Sequence, residues 1–168
     1  MTEPGVRTLI VGVLPKQPAA VVSHAAALAA RLDARLICAS VAVDRYVVAE
    51  HADGSVESTT FDPDLGEVGR AEFDPALRAR LAELLDPTGV QWEVRALAGD
   101  PARALAHLAD ALEAMMIVVG THEGGLRGSL RELLNGSVAA HLAHRQHRPI
   151  VVVPLAPVGF DAQLPWES

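Results

Sequence analysis

The chain has 168 residues, half of them hydrophobic but with only three Phe, two Trp and one Tyr, and a formal charge of −7. That length suits one domain with a single core, and an aliphatic, aromatic-poor core is what a helix-covered parallel sheet needs. The acidic balance argues against nucleic acid or an anionic membrane as the main partner, and the single cysteine, Cys38, excludes an internal disulfide and a cysteine zinc cluster.

Thr8 to Leu14 is a short, continuously apolar run ended by Pro15, as expected of a buried first strand. From Pro18 to Leu32 the chain is Ala-rich, with Val22, Ala25, Ala26, Ala29 and Leu32 at helical spacing. Ala34 to Val43 reads as a second buried strand, so the first 43 residues form a βαβ unit, whose crossover is right-handed in nearly all proteins. Cys38 falls inside this run and reads as a small core residue.

Asp44 to Phe73 differs in kind: it is polar and turn-rich, with no sustained period, and reads as an irregular insertion at the carboxyl edge of the sheet. Within it, Val47–Val48 and 56–61 are placed to pair as a small hairpin across Asp53-Gly54. Asp74-Pro75 then supplies a capping acid and a proline at the first helical position, and Leu77, Leu81, Leu84 and Leu85 line one helical face. Val90 to Leu97 alternates Val90, Trp92, Val94 and Ala96 with Gln91, Glu93 and Arg95, which implies a strand with a wetter face or a place near an edge. Asp100-Pro101 repeats the cap-and-proline start, a helix follows through Leu112, and Met115 to Val119 makes a fourth strand. Gly136 to Arg145 gives the last helix and Pro149 to Val153 the last strand, with an extended tail over 154–168.

Five apolar strands separated by helix-bearing connections define an α/β fold, an open parallel sheet with helices on both faces, Rossmann-like in type. Such sheets bind ligands at the carboxyl ends of their strands, where the strand order reverses. The loop after Val119 lies on that edge and holds Gly120, Gly124, Gly125 and Gly128 before Gly136-Ser137 opens the last helix. Glycines let main-chain N–H groups approach a phosphate, and a helix N-terminus adds free donors and a favourable dipole.

The stretch from Gly120 to Val138, with 149–153 behind it and Gly99-Asp100-Pro101-Ala102 before it, resembles the universal stress protein family. The resemblance spans the whole chain apart from 44–73 and the tail. It implies an adenine nucleotide alpha hydrolase-like sandwich. It also implies a homodimer paired through the last strand, here Ile150, Val151, Val152 and Val153. A first stretch without a basic patch, an apolar run over 9–14 too short for a signal peptide and no apolar run near the roughly 20 residues of a membrane span read as a soluble cytoplasmic protein. In one subgroup the resemblance further implies ATP or another adenine nucleotide as ligand, with or without Mg²⁺. Carried over by position, Gly120 matches the first glycine of that subgroup's pattern, Gly136-Ser137 its final pair, and Val41 the residue beside the base. Gly124 is the displaced counterpart of the middle glycine, and Arg127 stands ready for bidentate phosphate contact.

This chain also departs from the pattern. Three residues are inserted between Gly120 and Gly136, and Glu123 occupies the strict position of the middle glycine. The aspartate expected after the first strand is replaced by Val13-Leu14-Pro15-Lys16. Three readings therefore stand side by side. One is a nucleotide-responsive dimeric module; another is a dimeric interaction scaffold with a decayed site. The third is a slow nucleotide hydrolase, which would need Glu123 or His122 as its base. The expected action is binding rather than catalysis. His141, His144 and His147, spaced by three, read as basic groups at a helix C-terminus, and His107 as a helix-surface residue.

Overall fold

The computed structural model describes residues 6–60, 68–121 and 138–155. Its main sheet is built from β1 (Thr8–Gly12), β2 (Arg35–Ala42), β6 (Trp92–Ala98), β7 (Met116–Gly120) and β8 (Ile150–Val153). All neighbouring pairs are parallel, in the order β6-β2-β1-β7-β8. The sequence-based expectation of a five-stranded open parallel sheet holds; β6 and β7 each run one residue past their expected segments, to Ala98 and Gly120. Among the described residues four α-helices cover it: α1 (Ala20–Leu32), α2 (Pro75–Leu85), α3 (Pro101–Ala111) and α4 (Val138–Arg145).

Period-two alternation distributes the apolar residues of each strand between two cores. On β1, Leu9 and Val11 face one way, joined by Val13, and pack with Val21, Ala25 and Ala29 of α1 and Leu77, Leu81 and Leu85 of α2. Ile10 faces the other way and packs with Leu105, Leu108 and Ala109 of α3 and Leu142 of α4. A strand buried on both faces cannot alternate with polar residues, which is why β1, β2 and β7 read as unbroken hydrophobic runs. β6 lies at the edge of the sheet, and its wet side carries Glu93, which pairs with Arg35 at 3.4 Å and with Arg95 at 3.0 Å.

The helix starts follow their chemistry. Asp74 accepts from the Ala76 and Leu77 N–H groups, and Asp100 from that of Arg103, while each following proline occupies a position with no intrahelical N–H partner to lose. Such a side-chain cap contributes about 1 kcal/mol.

Residues 44–73 correct the expectation of an irregular insertion. They hold a second, antiparallel sheet of β3 (Arg45–Glu50), β4 (Val56–Thr60) and β5 (Gly69–Arg70), in that order. The expected hairpin across Asp53-Gly54 is its core, with Tyr46 opposite Thr59 and a register shift between Val47 and Ala49. The order comes from the turn. Asp53 Oδ1 accepts from the Ser55 N–H at 2.9 Å and hydroxyl at 2.6 Å, and the His51 N–H donates to the Ser55 carbonyl at 2.9 Å. Val56, 8 % exposed, then inserts into the α3-side core, and Arg45 bonds the fully buried Ser58 through its side chain and its carbonyl. Polar composition concealed a small sheet anchored by one buried valine.

Candidate functional site

The order β6-β2-β1-β7-β8 makes the chain leave β1 toward one edge and return to its other side at β7. The loops after β1 and after β7 therefore diverge to opposite faces, and the carboxyl ends of these two strands flank the crevice where such sheets hold ligands.

Gly120 closes β7 opposite Val153 of β8. A β-carbon built there would lie 2.9 Å from Val21 Cγ2, 3.0 Å from Gln17 Nε2 and 3.1 Å from Leu155 Cδ1. Two of these neighbours belong to the β1–α1 segment and the third follows β8, so this spot joins three elements and admits only glycine without a shift. The next residue fastens the rim: the Thr121 N–H donates to the Val153 carbonyl at 2.9 Å, and Thr121 Oγ1 accepts from the Leu155 N–H at 2.9 Å.

The other wall is the loop from Val13 to Ala19. The Val13 N–H still bonds the Ala39 carbonyl at 2.9 Å, after which the chain turns, with Gln17 N–H donating to the Leu14 carbonyl at 3.2 Å. Arg80 of α2 fixes the turn from behind: Nη1 donates to the Pro15 carbonyl at 2.9 Å and Nη2 to the Gln17 carbonyl at 2.7 Å. Gln17 Oε1 is buried and has no hydrogen-bond partner. Leu14 is 54 % exposed where a polar group would be expected to meet water. Unlike α2 and α3, helix α1 begins with no side-chain cap at Ala19, so the N–H groups of its first turn have no side-chain acceptor.

Val41 is half-buried near the carboxyl end of β2, opposite Leu97 of β6, and packs against the α3-side core. The fold thus brings two of the sequence-predicted site residues, Val41 and Gly120, to the same sheet edge, with β1 between their strands. Gly124, Arg127, Gly136 and Ser137 lie outside the described residues, as do His122 and Glu123. Sequence reasoning missed Gln17, Thr121 and Arg80. The first two flank the ends of β1 and β7, so a search of strand termini would have found them. Arg80 sits mid-helix, 63 residues from Gln17, and nothing in the sequence links the two.

Elsewhere, Cys38 is fully buried on β2, and burial pushes its thiol up to about 12, which suits a core residue and not a nucleophile. His107 lies on the surface of α3, but its Nδ1 stands 2.7 Å from Glu50 Oε2 of the inserted sheet.

Comparison with known proteins agrees with this fold. The model of the universal stress protein family matches residues 5–154. The chain belongs to the universal stress protein family. A universal stress protein solved in complex with cAMP superposes with a TM-score of 0.61 at 24 % identity, over 90 % of this chain and 99 % of that one. The protein from Archaeoglobus fulgidus in complex with dAMP gives 0.53 at 17 % identity, over 88 % and 98 %. Another universal stress protein structure from Archaeoglobus fulgidus gives 0.56 at 17 % identity, over 87 % and 92 %. At these identities the likeness is one of fold. No curated protein matches the sequence.

Proposed function

We propose that this universal stress protein is a nucleotide-responsive module that holds an adenine nucleotide across the crevice between the carboxyl ends of β1 and β7. The observation that carries the reading is Gly120, whose position at the switch point has no room for a side chain. Such a close approach of three elements brings main-chain N–H groups next to whatever fills the crevice. The uncapped first turn of α1 on the same edge adds donors and the positive end of a helix dipole. Two solved structures with this fold were obtained with cAMP and dAMP, which supports an adenine nucleotide as the ligand.

In this reading Gly120, Gly124, Gly136 and Ser137 cradle phosphate through their N–H groups, Arg127 pairs with it, and Val41 lines the base pocket. ATP is the proposed nucleotide, with Mg²⁺ as its usual companion. No aspartate stands after β1, so Leu14 offers the base packing and not a hydrogen bond. The protein acts by binding and changing partners, in the cytoplasm, and not by turning over substrate.

The dimer is part of the same proposal. β8 is the outermost strand of the main sheet, and Val152 on it is 45 % exposed. An edge with unpaired N–H and C=O groups is a template for a second strand. Two copies joined through Ile150, Val151, Val152 and Val153 would continue the sheet across a two-fold axis.

The test is a titration of purified protein with ATP, AMP and cAMP, with and without Mg²⁺, by calorimetry and by melting shift. A ligand at a thousandfold excess over Kd adds about 4 kcal/mol of stability. Absence of any shift at millimolar nucleotide would overturn the nucleotide reading and leave the dimeric scaffold.

A further inference from the structure

We propose that the groove between the inserted hairpin and helix α3 is a second ligand site, separate from the switch-point crevice, for an organic anion with an apolar body. The groove encloses about 790 Å³ along the outer side of α3, within the range of small-molecule sites.

Its walls are built, not accidental. Gly54, in the turn of the β3–β4 hairpin, has φ +77°, and a β-carbon there would come within 2.5 Å of Leu108 Cδ1. Only glycine allows both that backbone conformation and that seat on α3. Further along the same wall, Glu50 meets His107 at 2.7 Å. The hairpin is thus fastened to α3 at its turn and along β3, and Val56 of β4 is buried beneath it. Val47 of β3 and Ala104 of α3 add accessible apolar surface to the lining, over the buried Leu97 and Leu108.

The charge inventory points to the ligand. Three carboxylates line the groove, and each already has a partner: Glu50 faces His107, Asp110 accepts from Arg148 at 3.1 Å, and Asp100 caps α3. Two arginines in the lining, Arg103 and Arg145, have no side-chain partner among the described residues. Arg103 sits in the first turn of α3, at the carboxyl edge of the sheet; Arg145 ends α4, at the amino edge. The unpaired charge of the groove is therefore positive, in a chain whose net charge is −7. A guanidinium at either end of a part-apolar trough roughly 16 Å long recognises a carboxylate or a phosphate whose hydrocarbon or ring remainder packs on Val47 and Ala104.

Octanoate and octyl phosphate are the probes, with 1-octanol as the neutral control and acetate as the anion without a body. Binding is read from amide shifts in ¹⁵N-labelled protein. Saturable shifts confined to α3, the hairpin turn and the residues after α4, with 1-octanol and acetate weaker, are expected. The tighter of the two anionic probes identifies the head group. Arg103→Glu with Arg145→Gln should weaken binding about tenfold, since hydrogen bonds to charged groups are at stake. Glutamate is well tolerated in the first turn of a capped helix, so the fold should persist. Ala104→Trp fills the trough without altering its charge and should abolish the shifts. Both variants should keep the wild-type response to ATP, which separates this site from the crevice. Equal binding of octanoate and 1-octanol, shifts that map elsewhere, no saturation, or full affinity in the arginine variant would each overturn the proposal.

Discussion

Arg80 and Gln17 meet through a 2.7 Å hydrogen bond from the guanidinium to a main-chain carbonyl, and the same guanidinium holds the Pro15 carbonyl at 2.9 Å. One side chain of α2 thereby sets the shape of the loop that walls the crevice. Arg80→Met keeps most of the packing and removes both donors. Each charge-assisted bond of this kind contributes about 1.5–3 kcal/mol, less where water reaches it. The variant should therefore melt lower by roughly 1–3 kcal/mol of stability in chemical denaturation. Its nucleotide affinity should also fall, although Arg80 touches no ligand. An Arg80→Met variant with unchanged nucleotide affinity would show that the loop needs no such clamp.

Gly120 offers a sharper steric test. Alanine there must displace Val21, Gln17 or Leu155, and overpacking of this order costs about 1–3 kcal/mol. Valine should cost more and disrupt the β7–β8 edge. Urea unfolding of the two variants should rank them glycine, alanine, valine in decreasing stability. An alanine variant as stable as the wild type would mean that the three walls yield freely.

Cys38 has a pH signature. Its folded thiol is pushed up to about 12 from 9.0 by burial, so the native state keeps a proton that the unfolded chain releases. Stability should hold its full value from this group below pH 9.0 and decline as the pH rises toward about 12, with a limiting slope of about 1.4 kcal/mol per pH unit. Cys38→Ala should flatten that alkaline limb while lowering stability at neutral pH through the cavity it leaves. In native protein the thiol should resist a disulfide reagent until denaturant is added. Rapid labelling under native conditions would contradict its burial.

The β8 edge makes a separate prediction. Light scattering on the wild type should give twice the chain mass, and Val152→Pro should shift it toward the monomer, because proline removes an edge donor. Melting of the variant should then lose its dependence on protein concentration. A monomeric wild type would dispose of the interface through 150–153.

Much of the fold was legible because its strands are buried on both faces. Runs such as Leu9-Ile-Val and Ile117-Val-Val announce themselves without any period, and Asp74-Pro75 and Asp100-Pro101 mark helix starts by local chemistry alone. The inserted sheet was hard to read because its strands give little to the core: Val-Glu-Ser-Thr-Thr contributes one valine and looks like loop. The site was legible only in part. Glycine spacing picked out Gly120, and the resemblance suggested Val41, but nothing local discloses that Arg80 reaches Gln17 or that Gly54 rests on Leu108. These are long-range encounters between residues ordinary in their own neighbourhoods.

The sheet order has a consequence for a chain made from its N-terminus. β1 is synthesised first yet ends up at the centre, and its neighbour on the far side, β7, begins only at Met116. At roughly 5–20 residues per second, about a hundred residues of synthesis leave that edge without its partner for about 5–20 s. During that interval Leu9, Ile10 and Val11 can pair with β2 but not with β7. The nascent half-sheet is therefore exposed to mispairing until the second half of the message has been read, and a pause before β7 would lengthen its vulnerable life.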